Sequence, residues 1–125
     1  MKFIDLETQQ KRIISKIKSN VEKVYSHGKF IMGPEVIELE KKLSKFTGSK
    51  FCITVSSGTD ALLVAMMALG IGNDDEIIAT PFTWISASEM ASLLGAKSVF
   101  VDIDPETYNI DAKKIEKKIT KKTKL

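Results

Sequence analysis

At 125 residues, with 43% hydrophobic and 28% charged side chains, the chain can build one packed core and is too apolar to belong among disordered segments. Its net charge of +3 is confined to the end. Residues 113–125 hold seven lysines against Glu116, while residues 1–112 hold 12 basic and 15 acidic side chains. With Arg12 the only arginine, the body lacks the basic stripe that nucleic-acid binding requires, and the lone Cys52 excludes an internal disulfide framework and fits a reducing cytoplasm.

The first six residues give way to charged positions, not to the apolar core of a signal peptide, and Phe3-Ile4-Asp5-Leu6 reads as a short extended or anchoring segment. From Glu7 to Ser26, Ile13, Ile14, Ile17, Val21, Val24 and Tyr25 recur at helical spacing. Gly28 ends that helix, which places His27, the only histidine, at a helix C-terminus in a solvated or dipole-facing role. Phe30-Ile31-Met32-Gly33 is an apolar loop closed by Pro34, suited to the core, to a pocket or to a partner subunit. Pro34 opens a second helix with the face Val36, Leu39, Leu43 and Phe46, ended by Gly48.

Phe51–Val55 is a short β-branched and aromatic run, expected to be a strand. Ser56-Ser57-Gly58-Thr59 interrupts it, and the helix Ala61–Leu69 is apolar all round, so cover on most of its surface is expected. The turn has two readings. Free N–H groups at a helix start favour an anion, most often a phosphate; the alternative is a capped turn with Thr59 or Asp60 as N-cap. The apolar stretch Ala61–Ile71 is too short to span a bilayer. Gly70-Ile71-Gly72 follows a helix, so it is no dinucleotide fingerprint, and a nucleotide-binding domain has no motif to rest on.

Glu76–Thr80 reads as a second strand, residues 84–94 as a helix ended by Gly95, Ser98–Ile103 as a third strand, and Asp104–Thr107 as a turn. Asp111 caps a last helix carrying Ile115 and Ile119. The order βαβαβα with short connections implies a parallel sheet covered by helices, with ligands beyond the carboxyl ends of the strands. Ser56–Asp60, Pro81–Trp84 and Asp102–Asp104 lie there. Phe82 and Trp84 beside an anion site would suit a flat phosphorylated ligand such as pyridoxal 5′-phosphate (PLP); core packing is the other reading of Trp84, and turn chemistry that of Asp102 and Asp104.

These stretches together resemble the N-terminal part of the DegT/DnrJ/EryC1/StrS group of PLP-dependent nucleotide-sugar aminotransferases. The resemblance rests on Phe3–Leu6 with Gln9 and Gln10, Gly33–Val36 with Leu39-Glu40, Ser56–Leu62, Thr80–Trp84, Leu94–Lys97 and Val101–Asp111. It implies an α/β fold of the fold-type-I transferases, with residues 1–50 as an N-terminal helical segment and 51–125 as the first part of the large PLP-binding domain. It implies that Gly58 and Thr59 bind the cofactor phosphate, that Trp84 stacks on the pyridine ring, that Ser57 and Asp60 lie nearby, and that Glu89 faces the cofactor. The loop Phe30, Ile31, Met32, Gly33 would lie at a substrate site shared across a homodimer. The substrates implied are a keto-sugar nucleotide, of the UDP-N-acetyl-glucuronate type used for bacterial surface polysaccharide, and an amino-acid donor; no membrane, nucleic-acid or metal partner is implied. The resemblance places the lysine that anchors PLP as a Schiff base beyond residue 125, so no catalytic residue is expected here and the stretch reads as an N-terminal fragment. A PLP-dependent sugar dehydratase of the same family and a non-catalytic α/β assembly module are the alternatives.

Overall fold

The computed structural model describes residues 3–125. They divide into two compact units, one ending at Thr54 and the other formed by Val55–Leu125.

The first unit contains two helices, α1 (Leu6–His27) and α2 (Pro34–Thr47). Asp5 caps α1, its carboxylate accepting from the Thr8 N–H at 3.1 Å and the Thr8 hydroxyl at 2.6 Å. Gly28 closes the helix in the left-handed conformation, φ +63°, and donates back to the Val24 carbonyl. His27 Nδ1 accepts from the Lys29 N–H at 3.0 Å, which leaves Nε2 as the protonated nitrogen, 3.1 Å from Glu35 Oε1. The imidazole thus ties the end of α1 to the first turn of α2. That hydrogen bond draws the Glu35 carboxyl below its ordinary pKa.

Both helices form where the periodicity places them, yet neither has a buried residue, and the Ile13, Ile14, Ile17 and Val21 stripe stays exposed. Phe3 is fully exposed, so the segment Phe3–Leu6 is not packed as an anchor; Met1 and Lys2, at its start, lie outside the described residues.

The second unit holds α3 (Gly58–Ala68), β1 (Glu76–Ala79), α4 (Ser86–Leu93), β2 (Lys97–Phe100), and α5 (Ala112–Ile115) followed by a 3₁₀ turn, Glu116–Lys118. β1 and β2 are parallel, in the register Glu76↔Lys97 to Ala79↔Phe100, with α4 as the crossover between them. Met66, Ile71, Ile77, Ala91 and Ala96 form the core, where α3 and α4 meet over the sheet, and Met90 and Leu94 pack against it.

Three expectations change. Phe51–Val55 is not a strand. Its exposure alternates as in an extended chain, Cys52 and Thr54 being half-buried and Phe51, Ile53 and Val55 exposed, but no described residue forms a ladder with it. β propensity makes a segment extended; only a neighbouring backbone makes it a strand. Instead Glu40 holds it, accepting from both the N–H and the hydroxyl of Thr54 at 2.8 Å. Secondly, α3 is not covered all round: Met66 alone is buried, because its unit offers α4 and the sheet on one side only. Thirdly, the last helix stops well before Ile119, whose backbone is extended.

Beyond it the chain turns and lies along β1. Glu76 N–H donates to the Lys122 carbonyl at 2.8 Å, Lys124 N–H to the Glu76 carbonyl at 2.9 Å, and Ile78 N–H to the Leu125 carbonyl at 2.7 Å. Thr123 forms a parallel bridge with Glu76, and the Thr120 hydroxyl donates to the Glu76 carboxylate at 2.6 Å. β1 is therefore central, with β2 on one edge and the lysine-rich tail on the other. Replacing Lys124 with proline removes one donor of this ladder and is expected to destabilise the second unit by about 1–2 kcal/mol, the worth of a sheet bond plus the disturbed neighbour. Amide exchange should accelerate at Glu76 and Ile78 ahead of Ile77; uniform exchange across β1 would contradict the pairing.

Candidate cofactor site at the carboxyl ends of the strands

Ser57, not Thr59 or Asp60, is the N-cap of α3. All four polar residues of the turn could cap, and the choice falls on Ser57 because Gly58 is already the first helical residue. The Ser57 Oγ accepts from the Asp60 N–H at 3.0 Å, and the Ser57 carbonyl takes the first helical bond, from the Ala61 N–H. Asp60 turns its carboxylate back onto the hydroxyls of Ser56 and Ser57. Those two bonds, Ser56 first, hold the Asp60 carboxyl below the usual aspartate range and so keep it ionised. Ser56, Ser57 and Asp60 thus satisfy one another.

What remains is an opening. The N–H groups of Gly58 and Thr59 sit in the first turn, where helix geometry gives them no acceptor. A Cβ built on Gly58 would meet nothing within 4 Å, so the backbone is bare at that point. The cap uses Ser57 and Asp60 and leaves the N–H groups of Gly58 and Thr59 open to an acceptor from outside the turn. The Thr59 hydroxyl reaches across to α4 and lies 3.0 Å from the Ser86 Oγ. Ser86, 5% exposed, is the buried polar side chain of the described residues. Sequence reasoning passed over it; a serine two places after a tryptophan carries no signal by itself.

Trp84 ends the segment that leaves β1. It is 81% exposed among the described residues, so the core of this unit leaves the indole uncovered. It lines a half-enclosed hollow of about 260 Å³ with Thr80, Pro81, Thr83, Ile85, Ser88 and Phe100. The Thr59–Ser86 bond joins the open turn to the helix that starts two residues after Trp84. Phe82 leans instead on Tyr108, ring centroids 6.0 Å apart. Asp104 is a turn residue, accepting from the N–H groups of Thr107 and Glu106, which lowers its pKa, and Asp102 accepts from the Ile103 N–H. Glu89 is exposed in an open hollow that shares Ile85 and Ser88 with the lining around Trp84.

In the first unit, Phe30, Ile31 and Met32 are exposed and Gly33 is buried. Met32 holds φ +49°, an uncommon conformation for a long side chain. A Cβ on Gly33 would stand 2.4 Å from the Lys29 carbonyl oxygen, so the loop closes only with glycine there. No described group of His, Cys, Asp and Glu side chains could hold a metal ion.

Residues 11–125 match the model of the DegT/DnrJ/EryC1/StrS aminotransferase family. The chain belongs to that family. It is 51% identical over 124 residues to the UDP-2-acetamido-2-deoxy-3-oxo-D-glucuronate aminotransferase of Pseudomonas aeruginosa, covering 99% of this chain and 34% of the relative. A DegT/DnrJ/EryC1/StrS aminotransferase from Brucella abortus superposes with a TM-score of 0.87 at 40% identity, over 93% of this chain and 31% of its own. NtdA of Bacillus subtilis, solved with the cofactor PMP bound, superposes with a TM-score of 0.83 at 34% identity, over 88% and 25%. The chain spans between a quarter and a third of the length of these family members, and the α/β arrangement of its second unit is that of fold-type-I PLP enzymes.

Proposed function

We propose that residues 1–125 contribute the phosphate and ring contacts of a PLP site to a nucleotide-sugar aminotransferase. One observation carries the reading: the bare N–H groups of Gly58 and Thr59 and the uncovered face of Trp84 stand at the starts of two helices joined by the Thr59–Ser86 bond. The open backbone fits a phosphate, and the indole fits a flat ring. PLP, when bound, supplies the electron sink through which an amino group passes from an amino acid to a keto sugar. Gly58 and Thr59 bind its phosphate by main-chain N–H and hydroxyl; Ser57 fixes the turn; Trp84 orients the ring. No residue of this stretch is assigned the covalent step.

The 51% identity to the Pseudomonas enzyme favours a UDP-linked 3-keto sugar acid as amino acceptor; an amino-acid donor and a role in surface polysaccharide synthesis in the cytoplasm complete the proposal. Residues 1–50 serve as a helical segment before the large PLP-binding domain, and the exposed Phe30–Met32 loop with Gly33 faces a second copy in a homodimer. Gly58→Val tests the site. Valine meets open space, so the melting temperature of the full-length protein should hold, while PLP affinity should fall about tenfold, some 1.4 kcal/mol, by intrusion on the phosphate. Unchanged PLP affinity would remove the cup.

A further inference from the structure

Resting on that reading, we infer that Ser86 is a positioning residue for the cofactor phosphate, acting through the Thr59 hydroxyl. Thr59 Oγ1 and Ser86 Oγ are 3.0 Å apart, and either could donate. A hydroxyl has one proton. If Thr59 donates to an anion at the bare turn, it must accept from Ser86; only then are both hydroxyl protons used. Ser86 can play that part because it is buried and its Oγ has no other side-chain partner among the described residues. It is also the first residue of α4, whose N-terminus has no side-chain cap hydrogen bond, so the Ser86 hydroxyl is not engaged in capping.

The result is a directed chain, Ser86 to Thr59 to phosphate, in which each hydrogen bond polarises the next. Without the ligand the Thr59 proton can turn back to Ser86, so the pair stays satisfied in either state. Burial keeps water from replacing Ser86 as the donor, and the link makes the setting of α4 against α3 felt at the phosphate. Ser86 itself touches no ligand.

The test is a double-mutant cycle of Thr59→Val and Ser86→Ala in the full-length protein, with PLP and with pyridoxal, which lacks the phosphate. Ser86→Ala removes a bond between two neutral hydroxyls and leaves the Thr59–phosphate bond without its polarising donor, so it is expected to weaken PLP binding by about threefold. Thr59→Val should do so at least as much, the double variant no more than Thr59→Val alone, and pyridoxal binding should not change. Full additivity, or an equal loss for pyridoxal, would make Ser86 a packing residue and overturn the inference. Weakening by Thr59→Val with none by Ser86→Ala would do the same while leaving the phosphate cup intact. PLP binding untouched by Thr59→Val would take the Thr59 hydroxyl out of the phosphate site and overturn the role of Ser86, while the main-chain cup, tested by Gly58→Val, would stand.

Discussion

Gly95→Ala is expected to destabilise the second unit by about 3 kcal/mol, lowering the unfolding midpoint by roughly 12 °C for a domain of this size. Two costs combine. Gly95 holds φ +84°, where an L side chain is strained by about 1–2 kcal/mol. An added Cβ would also stand 1.9 Å from the Asn73 Oδ1, 3.0 Å from its Cγ and 3.5 Å from its Cα. The amide can swing aside, but it must then leave its place in the turn before β1. The position matters because it reverses the chain from α4 into β2: the Gly95 N–H bonds the Ser92 carbonyl and the Ala96 N–H the Ala91 carbonyl, with Ala91 and Ala96 both in the core. Gly72→Ala is the control, since its Cβ would meet nothing nearer than the Leu94 carbonyl at 3.9 Å, and its φ is not in the left-handed region. Thermal unfolding of the two variants decides the matter; equal midpoints would mean that the left-handed turn at Gly95 carries no strain.

Gly95 also shows what could be read in advance. A glycine after an apolar helical period announces a helix end, and Gly28, Gly48 and Gly95 all end helices, as Pro34 begins one. These are local signals, each set by the φ that one residue can adopt. The Asn73 contact is not local, and nothing in the spacing of residues 73 and 95 reveals it. Pairing is likewise non-local. Phe51–Val55 has the composition of a strand and no ladder, whereas Thr120–Leu125 has the composition of a solvated tail and lies in one. Lysines and threonines pair there because β1 presents unmet N–H and C=O groups at its edge, and the backbone that satisfies them needs no particular side chain.

The site divides in the same way. A hydroxyl and glycine cluster before an apolar helix, with Trp84 after a strand, was enough to suggest an anion cup beside an aromatic plate. Which hydroxyl caps was decided by where the helix begins, and Ser86 became visible only once α3 and α4 were packed together. Glu89 enters through the resemblance, and it lines a hollow that adjoins the one around Trp84 through Ile85 and Ser88. The unpacked faces of α1 and α3 were invisible to periodicity, which tells that a face is apolar and not what covers it.

Trp84→Ala should separate folding from binding more sharply than any other change in the site. With 81% of the residue exposed, removing the indole gives up almost no burial, so stability should stay within about 0.5 kcal/mol. PLP affinity should fall about 30-fold, some 2 kcal/mol, the worth of one ring stacked on an aromatic face. Trp84→Phe keeps a face and should recover most of it. The loss must also have the right chemistry: a ring contact weakens PLP and pyridoxal alike, whereas Gly58→Val should weaken PLP alone, because only PLP carries the phosphate. Trp84 is the only tryptophan of the 125 residues, so the difference in fluorescence quenching by PLP between the full-length protein and its Trp84→Phe variant gives a local readout. If Trp84→Ala retains PLP as the unmodified protein does, the indole is no part of the site. If it loses PLP but not pyridoxal, the plate and the cup have been assigned to the wrong ends of the ligand.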